Sequence, residues 1–258
     1  MSLFNKSEYV IMLTAFIASV VVILSLAPTS TFDAFLPNAF ALSMSNGTAA
    51  GNEMPTAKSV FDTGTLSLPS SVKGFLIYIP DEAHHPLSDD KTISLKNANY
   101  IPTHLIIPKG TGIAFVHGDP GHIHIELVKD NKTNQVVWQT TPIKHPGGSD
   151  TKVLAPGSYS VSDDKYAPMK GSINVDGNVQ ATGDLTVGGI FVPTNSLAKY
   201  KSDFTSAGFQ VSSSNDFVSK TSQKDISGPN TLIIYSTHVP IDKAITSIKP
   251  IIESLPYR

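Results

Sequence analysis

The chain has 258 residues, a formal net charge of −2 and no cysteine. Without cysteine there are no disulfides, no thiol catalysis and no cysteine-ligated metal centre, and the near-neutral charge balance does not support nucleic-acid binding, which usually shows a basic patch. Charged residues make up 16% while Gly and Pro number 18 each, a low-charge, turn-rich composition that suits an all-β exported domain.

The first element in chain order is Tyr9 to Ala27, 19 residues without a charge. As a helix rising ~1.5 Å per residue it spans the ~30 Å hydrocarbon core of a bilayer. Lys6 before it and Asp33 after it place the N-terminus inside and the bulk of the chain outside the cytoplasm. A signal peptide is the competing reading, since Ala39-Phe40-Ala41 is a small-x-small cleavage site, though it lies 12 residues past Ala27. Residues 1–30 are read as a membrane anchor or signal peptide, giving either a single-pass protein of the cell membrane or a secreted one. Residues 31–57 hold Pro37, Pro55, Gly47 and Gly51 among small polar residues and read as a linker. Asn46-Gly47-Thr48 and Asn131-Lys132-Thr133 match glycosylation acceptors, a pattern that turn chemistry also produces.

Residues 58–176 give short strand signals bounded by Gly, Pro, Asn or Asp: Phe75–Ile79, His104–Ile107, Ile113–Val116, Ile123–Val128, Val136–Trp138, Tyr159–Val161 and Ser172–Val175. Strands of this length and spacing suggest a β-sandwich. Within them, His122-Ile123-His124 places two imidazoles on one side of a strand, and imidazole suits copper and zinc. The plainer reading turns Ile123, Ile125 and Leu127 inward and leaves both histidines in solvent. His104, His117 and His145 lie nearby in sequence. His84-His85 sits in a Pro-bounded loop and is assigned no role, and Trp138 is placed in the sandwich core or at a protein interface.

Pro156-Gly157-Ser158-Tyr159, a short strand, and Asp163-Asp164-Lys165-Tyr166-Ala167-Pro168-Met169-Lys170-Gly171 resemble the closing motif of the cupredoxin (plastocyanin/azurin-like) family. That motif runs Pro-Gly-Thr-Tyr, strand, Cys, two residues, His, Pro, one residue, Met-Lys-Gly. Aligned on Gly171, Met169 takes the family's methionine position, Tyr166 its copper-binding histidine and Asp163 its copper-binding cysteine. Ile107-Pro108-Lys109-Gly110-Thr111-Gly112-Ile113-Ala114-Phe115-Val116 resembles the family's strand, Lys-Gly turn and next strand. Asp119-Pro120-Gly121-His122 sits where the family's loop leads to its first copper histidine. The resemblance covers about residues 95–175 and implies a cupredoxin-like sandwich with two of four ligand positions changed. A blue-copper centre needs a thiolate, so this chain builds none. Metal, if held, is assigned to His122, His124, Asp163 and Met169. Asp163 makes a harder site that prefers Cu(II) or Zn, and Met169 is at most a weak axial ligand. The plainer reading makes Asp163-Asp164-Lys165 a polar turn, Met169 a core residue and Tyr166 the mark of a lost site. The cofactor expectation is therefore none, or copper.

Residues 184–258 change character. A strand at Leu185–Val192 precedes a helical stripe of Leu197, Tyr200, Phe204 and Ala207, closed by Gly208. A strand at Phe209–Val211, a polar loop at 212–230 and a buried strand at Thr231–Tyr235 follow. Pro240 then opens a helix with Ile241, Ala244, Ile245, Ile248, Ile252 and Leu255 on one side, which Pro250 is expected to kink. The order β-α-β-β-α predicts a small, separable α+β domain, with a boundary at Asp176–Gly183. It carries no phosphate loop, nucleophile elbow or carboxylate pair.

The fold expectation is thus mostly β with α+β: an N-terminal anchor or signal, a linker, a cupredoxin-like β-sandwich and a C-terminal α+β domain. The expected function is a non-enzymatic, extracytoplasmic binding or structural module without type 1 copper. Its expected contacts are the membrane and a protein partner in a membrane complex. The alternative is a histidine-based, non-blue copper protein for copper storage or delivery, or part of a copper enzyme. The cupredoxin-bearing component of the membrane methane and ammonia monooxygenases resembles it in using a His-x-His pair. That family adds the histidine at its mature N-terminus, whereas cleavage after Ala41 would expose Leu42 here.

Overall fold

The structure, a computed structural model, describes residues 65–80, 100–213 and 230–256, all within one compact unit, Ala41–Arg258. The anchor or signal segment, the 31–57 linker, the Asn46 acceptor, His84-His85 and residues 214–229 lie outside the described residues. Among the described residues no helix is long and apolar enough to cross a membrane.

In chain order the strands are β1 (Thr65–Ser67), β2 (Val72–Ile79), β3 (His104–Lys109), β4 (Gly112–His117), β5 (Ile123–His124), β6 (Glu126–Asp130), β7 (Val136–Gln139), β8 (Ile143–Lys144), β9 (Gly147–Gly148), β10 (Lys152–Val153), β11 (Gly157–Asp163), β12 (Lys170–Gln180), β13 (Leu185–Pro193), β14 (Gln210–Ser213) and β15 (Asn230–Thr237). Helix α1 is Leu197–Ser206 and α2 is Ile241–Glu253. One sheet has the order β1-β3-β12-β11-β6-β7, and a second has β10-β4-β2-β13-β15-β14 with β9 also on β4. Strands β5 and β8 make a separate two-stranded ribbon. The chain is mostly β, as its turn-rich, low-charge composition implied.

The two sheets meet face to face, with Phe115 of β4 packed 5.4 Å, ring to ring, from Trp138 of β7. The turn from β3 to β4 crosses between the sheets at Gly110, whose φ of 83° is the left-handed geometry that glycine adopts without penalty. Strand β2 pairs in parallel with both β4 and β13. All six residues of β4 are buried, and in β2 only Lys73 is exposed. A parallel strand covered on both faces loses its alternation and becomes a continuous apolar run, which is what Phe75-Leu76-Ile77-Tyr78-Ile79 spells.

The second face of that sheet is covered by the helices. Leu76, Tyr78, Ala114 and Val116 share one buried cluster with Tyr200 and Phe204 of α1 and Ala244, Ile248 and Ile252 of α2. Phe204 stacks on Tyr235 of β15 at 4.6 Å, and the Tyr200 hydroxyl donates to the Ser254 carbonyl just past α2. Gly208, at φ 88°, ends α1 as expected. Helix α2 runs through Pro250 to Glu253.

The element order β-α-β-β-α of residues 185–253 matches the sequence reading, but the separable domain does not survive. Strands β13, β15 and β14 extend the sheet that β2 and β4 begin, so the parts on either side of the expected boundary at 176–183, itself largely exposed or half-buried, share one sheet. The physical reason is the doubly covered pair β2 and β4. Their second apolar face needs the helices, and a sandwich ending at residue 183 would leave it in water.

Candidate functional site

A cluster of polar side chains is buried where the ends of β4, β5, β6 and β11 converge. Among the buried residues are His117, Asp119, His124, Glu126 and Asp163, all at 4% exposure or less. Burying ionisable groups is costly unless they are paired, so the arrangement of their partners is the substance of the site.

Strand β4 delivers His117. Its Nδ1 accepts the Asp119 N–H at 3.0 Å, and its Nε2 lies 3.1 Å from the His122 carbonyl. An acceptor at Nδ1 makes Nε2 the donor, which fixes a neutral imidazole. Burial, then the neighbouring His124, push its pKa down to about 3. Between His117 and Asp119, Gly118 lies flat on Tyr78, since a Cβ there would sit 2.0 Å from the Tyr78 hydroxyl. The loop can therefore turn Asp119 inward. Asp119 Oδ1 caps the Gly121 N–H at 2.9 Å, and Oδ2 meets His122 Nδ1 at 2.8 Å and His124 Nε2 at 3.5 Å.

The predicted strand Ile123–Val128 breaks at Ile125. Its first part, β5, leaves for β8, and its second, β6, joins β11 with Glu126 opposite Asp163. The Ile125 N–H at the break donates to Asp163 Oδ2 at 3.3 Å, and its carbonyl accepts the Asp164 N–H at 2.9 Å. Inward-facing residues from here are His124, Glu126 and Val128, while Ile123, Ile125 and Leu127 are half-buried. The reading that turned the isoleucines inward and left both histidines in solvent is corrected: the polar side of the strand is the buried one. It is buried because partners wait for it. His124 Nδ1 lies 2.8 Å from Asp163 Oδ2, and Glu126 Oε2 accepts the Tyr100 hydroxyl at 2.5 Å.

Asp163 is not an exposed turn residue. Its Oδ2 takes His124 and the Ile125 N–H, and its Oδ1 takes the Lys165 and Tyr166 N–H groups at 2.6 and 2.8 Å. Burial alone would raise its pKa, but the His124 bond and the two turn N–H groups bring it below the usual carboxylate range. Burial would lower His124, but its bonds to Asp119 and Asp163 lift it to about 9. Both shifts favour the charged forms, which make a buried imidazolium–carboxylate pair. Glu126 is the opposite case. Burial, outweighing the Tyr100 bond and reinforced by the Asp163 charge, raises it to about 8.

Of the residues assigned from sequence, His124 and Asp163 come together directly. His122 meets Asp119, which in turn faces His124, and its side chain is 29% exposed. Tyr166 places its ring 4.9 Å from His124 and 5.3 Å from His122. Met169 is fully buried, its N–H bonded to the Tyr166 carbonyl. Asp119, Glu126 and Tyr100 were missed as site residues. Glu126 was legible in principle, since it stands two residues beyond His124 on the same side of the strand. His104 lies away from the cluster, exposed and bonded to Ser172.

The donor set does not fit copper–thiolate chemistry. The position aligned with the thiolate holds a carboxylate that already accepts four bonds. The residues that could hold a metal are His124, Glu126 and Asp163, whose ligating atoms lie within 4.8 Å of one another. That set is one nitrogen and two hard oxygens.

No protein-family model and no curated protein sequence matches the chain. Among solved structures it is similar to a purple cupredoxin from Nitrosopumilus maritimus, at 19% identity and TM-score 0.31, covering 39% of this chain and 98% of that one. It is also similar to a copper-containing nitrite reductase from Thermus scotoductus, at 18% identity and TM-score 0.33, covering 45% of this chain and 28% of that one. A Cu(I) amicyanin mutant overlaps 40% of this chain and 83% of its own, at 10% identity and TM-score 0.30. At such scores these are partial overlaps that carry neither a family nor a chemistry to this chain.

Proposed function

We propose that this protein is a cupredoxin-like module held on the outer side of a membrane, which binds a protein partner instead of carrying electrons through a copper–thiolate centre. The observation that carries the reading is Asp163. It occupies the motif's cysteine position, pairs with buried His124 and accepts three backbone N–H groups. A side chain so engaged is part of the fold's interior and supplies no sulfur. The cupredoxin assignment is supported by the two quoted motifs and by the two-sheet order around them. The outer-side location is supported by the uncharged run Tyr9–Ala27 and the 31–57 linker, whose length lets a tethered domain reach its neighbours.

Strand β7 ends its sheet and exposes Val136 and Val137 at 47% and 40%. An apolar sheet edge of this kind accepts a partner's strand. The test is gentle detergent extraction of native membranes followed by sizing. The protein should travel in a particle well above its own 27.5 kDa. Recovery only as a free monomer across several mild detergents would overturn the partner-binding role.

A further inference from the structure

We propose that His124, Glu126 and Asp163 form a binding site for one divalent cation of the Zn(II) or Cu(II) type, through one imidazole nitrogen and two carboxylate oxygens. This site does not depend on the partner-binding role above.

Four observations carry it. The first is an unanswered acceptor: Glu126 Oε1 is buried and has no hydrogen-bond partner, and Glu126 is wholly inaccessible. A buried carboxylate oxygen left so is costly. It faces His124 Nδ1 at 3.9 Å, so its free lone pairs point into the cluster.

The second is distance. His124 Nδ1 is 2.8 Å from Asp163 Oδ2 and 3.9 Å from Glu126 Oε1. Ligands ~2.0–2.2 Å from a tetrahedral ion stand roughly 3.5 Å apart. The two distances bracket that value, and the three ligand atoms all lie within 4.8 Å of one another. Three protein ligands leave a fourth position for water.

The third is orientation from behind. A metal-binding histidine typically turns its other ring nitrogen to a carboxylate, which fixes the ring and strengthens the ligand. His124 Nε2 faces Asp119 Oδ2 at 3.5 Å, and Asp119 is itself buried. The Tyr100 hydroxyl holds Glu126 Oε2, and the Lys165 and Tyr166 N–H groups hold Asp163 Oδ1. In both carboxylates one oxygen is anchored and the other turned toward His124.

The fourth is charge. Asp119, Glu126 and Asp163 are three buried acids gathered around His124. A dication neutralises the two carboxylates that face it. Two hard oxygens and an imidazole suit Zn(II) or Cu(II) and disfavour Cu(I). The competing occupant is a proton on Glu126.

The test uses the full-length chain, purified in mild detergent and stripped with a chelator. Zn(II) is titrated by calorimetry, with bound metal counted by mass spectrometry. One Zn(II) per chain is expected. Glu126→Gln and Asp163→Asn should each weaken binding by roughly tenfold to hundredfold or more, while His104→Ala, remote from the cluster, should leave it unchanged. Near-UV circular dichroism reports whether each variant folds. Should either fail, paramagnetic resonance of the Cu(II)-loaded wild type decides: one coordinated imidazole supports the site. Two or more imidazoles would place the ion on other histidines and overturn it. Absence of stoichiometric binding, or unchanged affinity in folded Glu126→Gln and Asp163→Asn, would equally overturn it and leave a proton as the occupant.

Discussion

His124 and Asp163 are the residues on which the interior of this sandwich turns, and their protonation gives the metal-free chain a definite pH response. His124 is raised to about 9, so the folded state keeps a proton that the unfolded chain releases near its ordinary value. Its stabilisation is full below pH ~6.5 and is lost as pH rises through about 9. Glu126, raised to about 8, acts in the same sense, because a neutral buried carboxyl ionises more readily once unfolded. His117, lowered to about 3, acts oppositely. It must stay neutral in the fold, so its contribution is present above pH ~6.5 and fades as pH falls. The unfolding temperature of the chelator-treated chain should therefore fall between pH 7 and 9.5, and Glu126→Gln should remove part of that fall. A flat profile across this window in differential scanning fluorimetry would contradict these protonation states. Asp163→Asn breaks a buried pair and leaves His124 without its nearest counter-charge, which costs about 3–5 kcal/mol. Urea unfolding measures it, and a loss below ~1 kcal/mol would mean that the pair is not the buried ion pair described.

Elements were more legible in the sequence than their assembly. The strands at 75–79, 104–107, 113–116 and 136–138, both C-terminal helices and the Gly208 stop all stand within a few residues of where their patterns put them. The inward side of residues 122–128 was misread because alternation gives only which residues share a side. Ile123, Ile125 and Leu127 made the apolar side the natural inward choice. What reversed it were long-range partners, Asp163 some 38 residues away and Tyr100 26 residues away, and no local period encodes them. The domain boundary was misread for a related reason. The unbroken run Phe75–Ile79 already signalled a strand covered on both faces, but nothing local said that α1 and α2 supply the cover. A chain ended at Gly183 should therefore expose Leu76, Tyr78, Ala114 and Val116, bind hydrophobic dye and aggregate. A soluble, cooperatively folded 1–183 product would contradict the shared core. Phe204→Ala, which empties the centre of that core, should cost about 3–5 kcal/mol, read from the shift in urea midpoint. A cost under ~1 kcal/mol would mean that α1 is loosely docked.

At the largest scale, the two sheets and the helical layer of the described residues pack together, and their polar cluster sits at the tips of β4, β5, β6 and β11. The positions that resemble a copper carrier's ligands hold His122, Asp163, Tyr166 and Met169, and β6 brings a second buried carboxylate, Glu126, opposite Asp163. Such donors stabilise Cu(II) over Cu(I), so even a copper-loaded chain should not cycle readily between the two states. Whether this interior serves electron transfer is read out directly by optical and electrochemical titration of the full-length chain with Cu(II). No intense band is expected near ~600 nm, where copper–thiolate charge transfer absorbs, and no reversible one-electron wave. A reversible wave from one copper per folded chain, abolished by His124→Ala, would contradict this and make the protein an electron carrier without a thiolate.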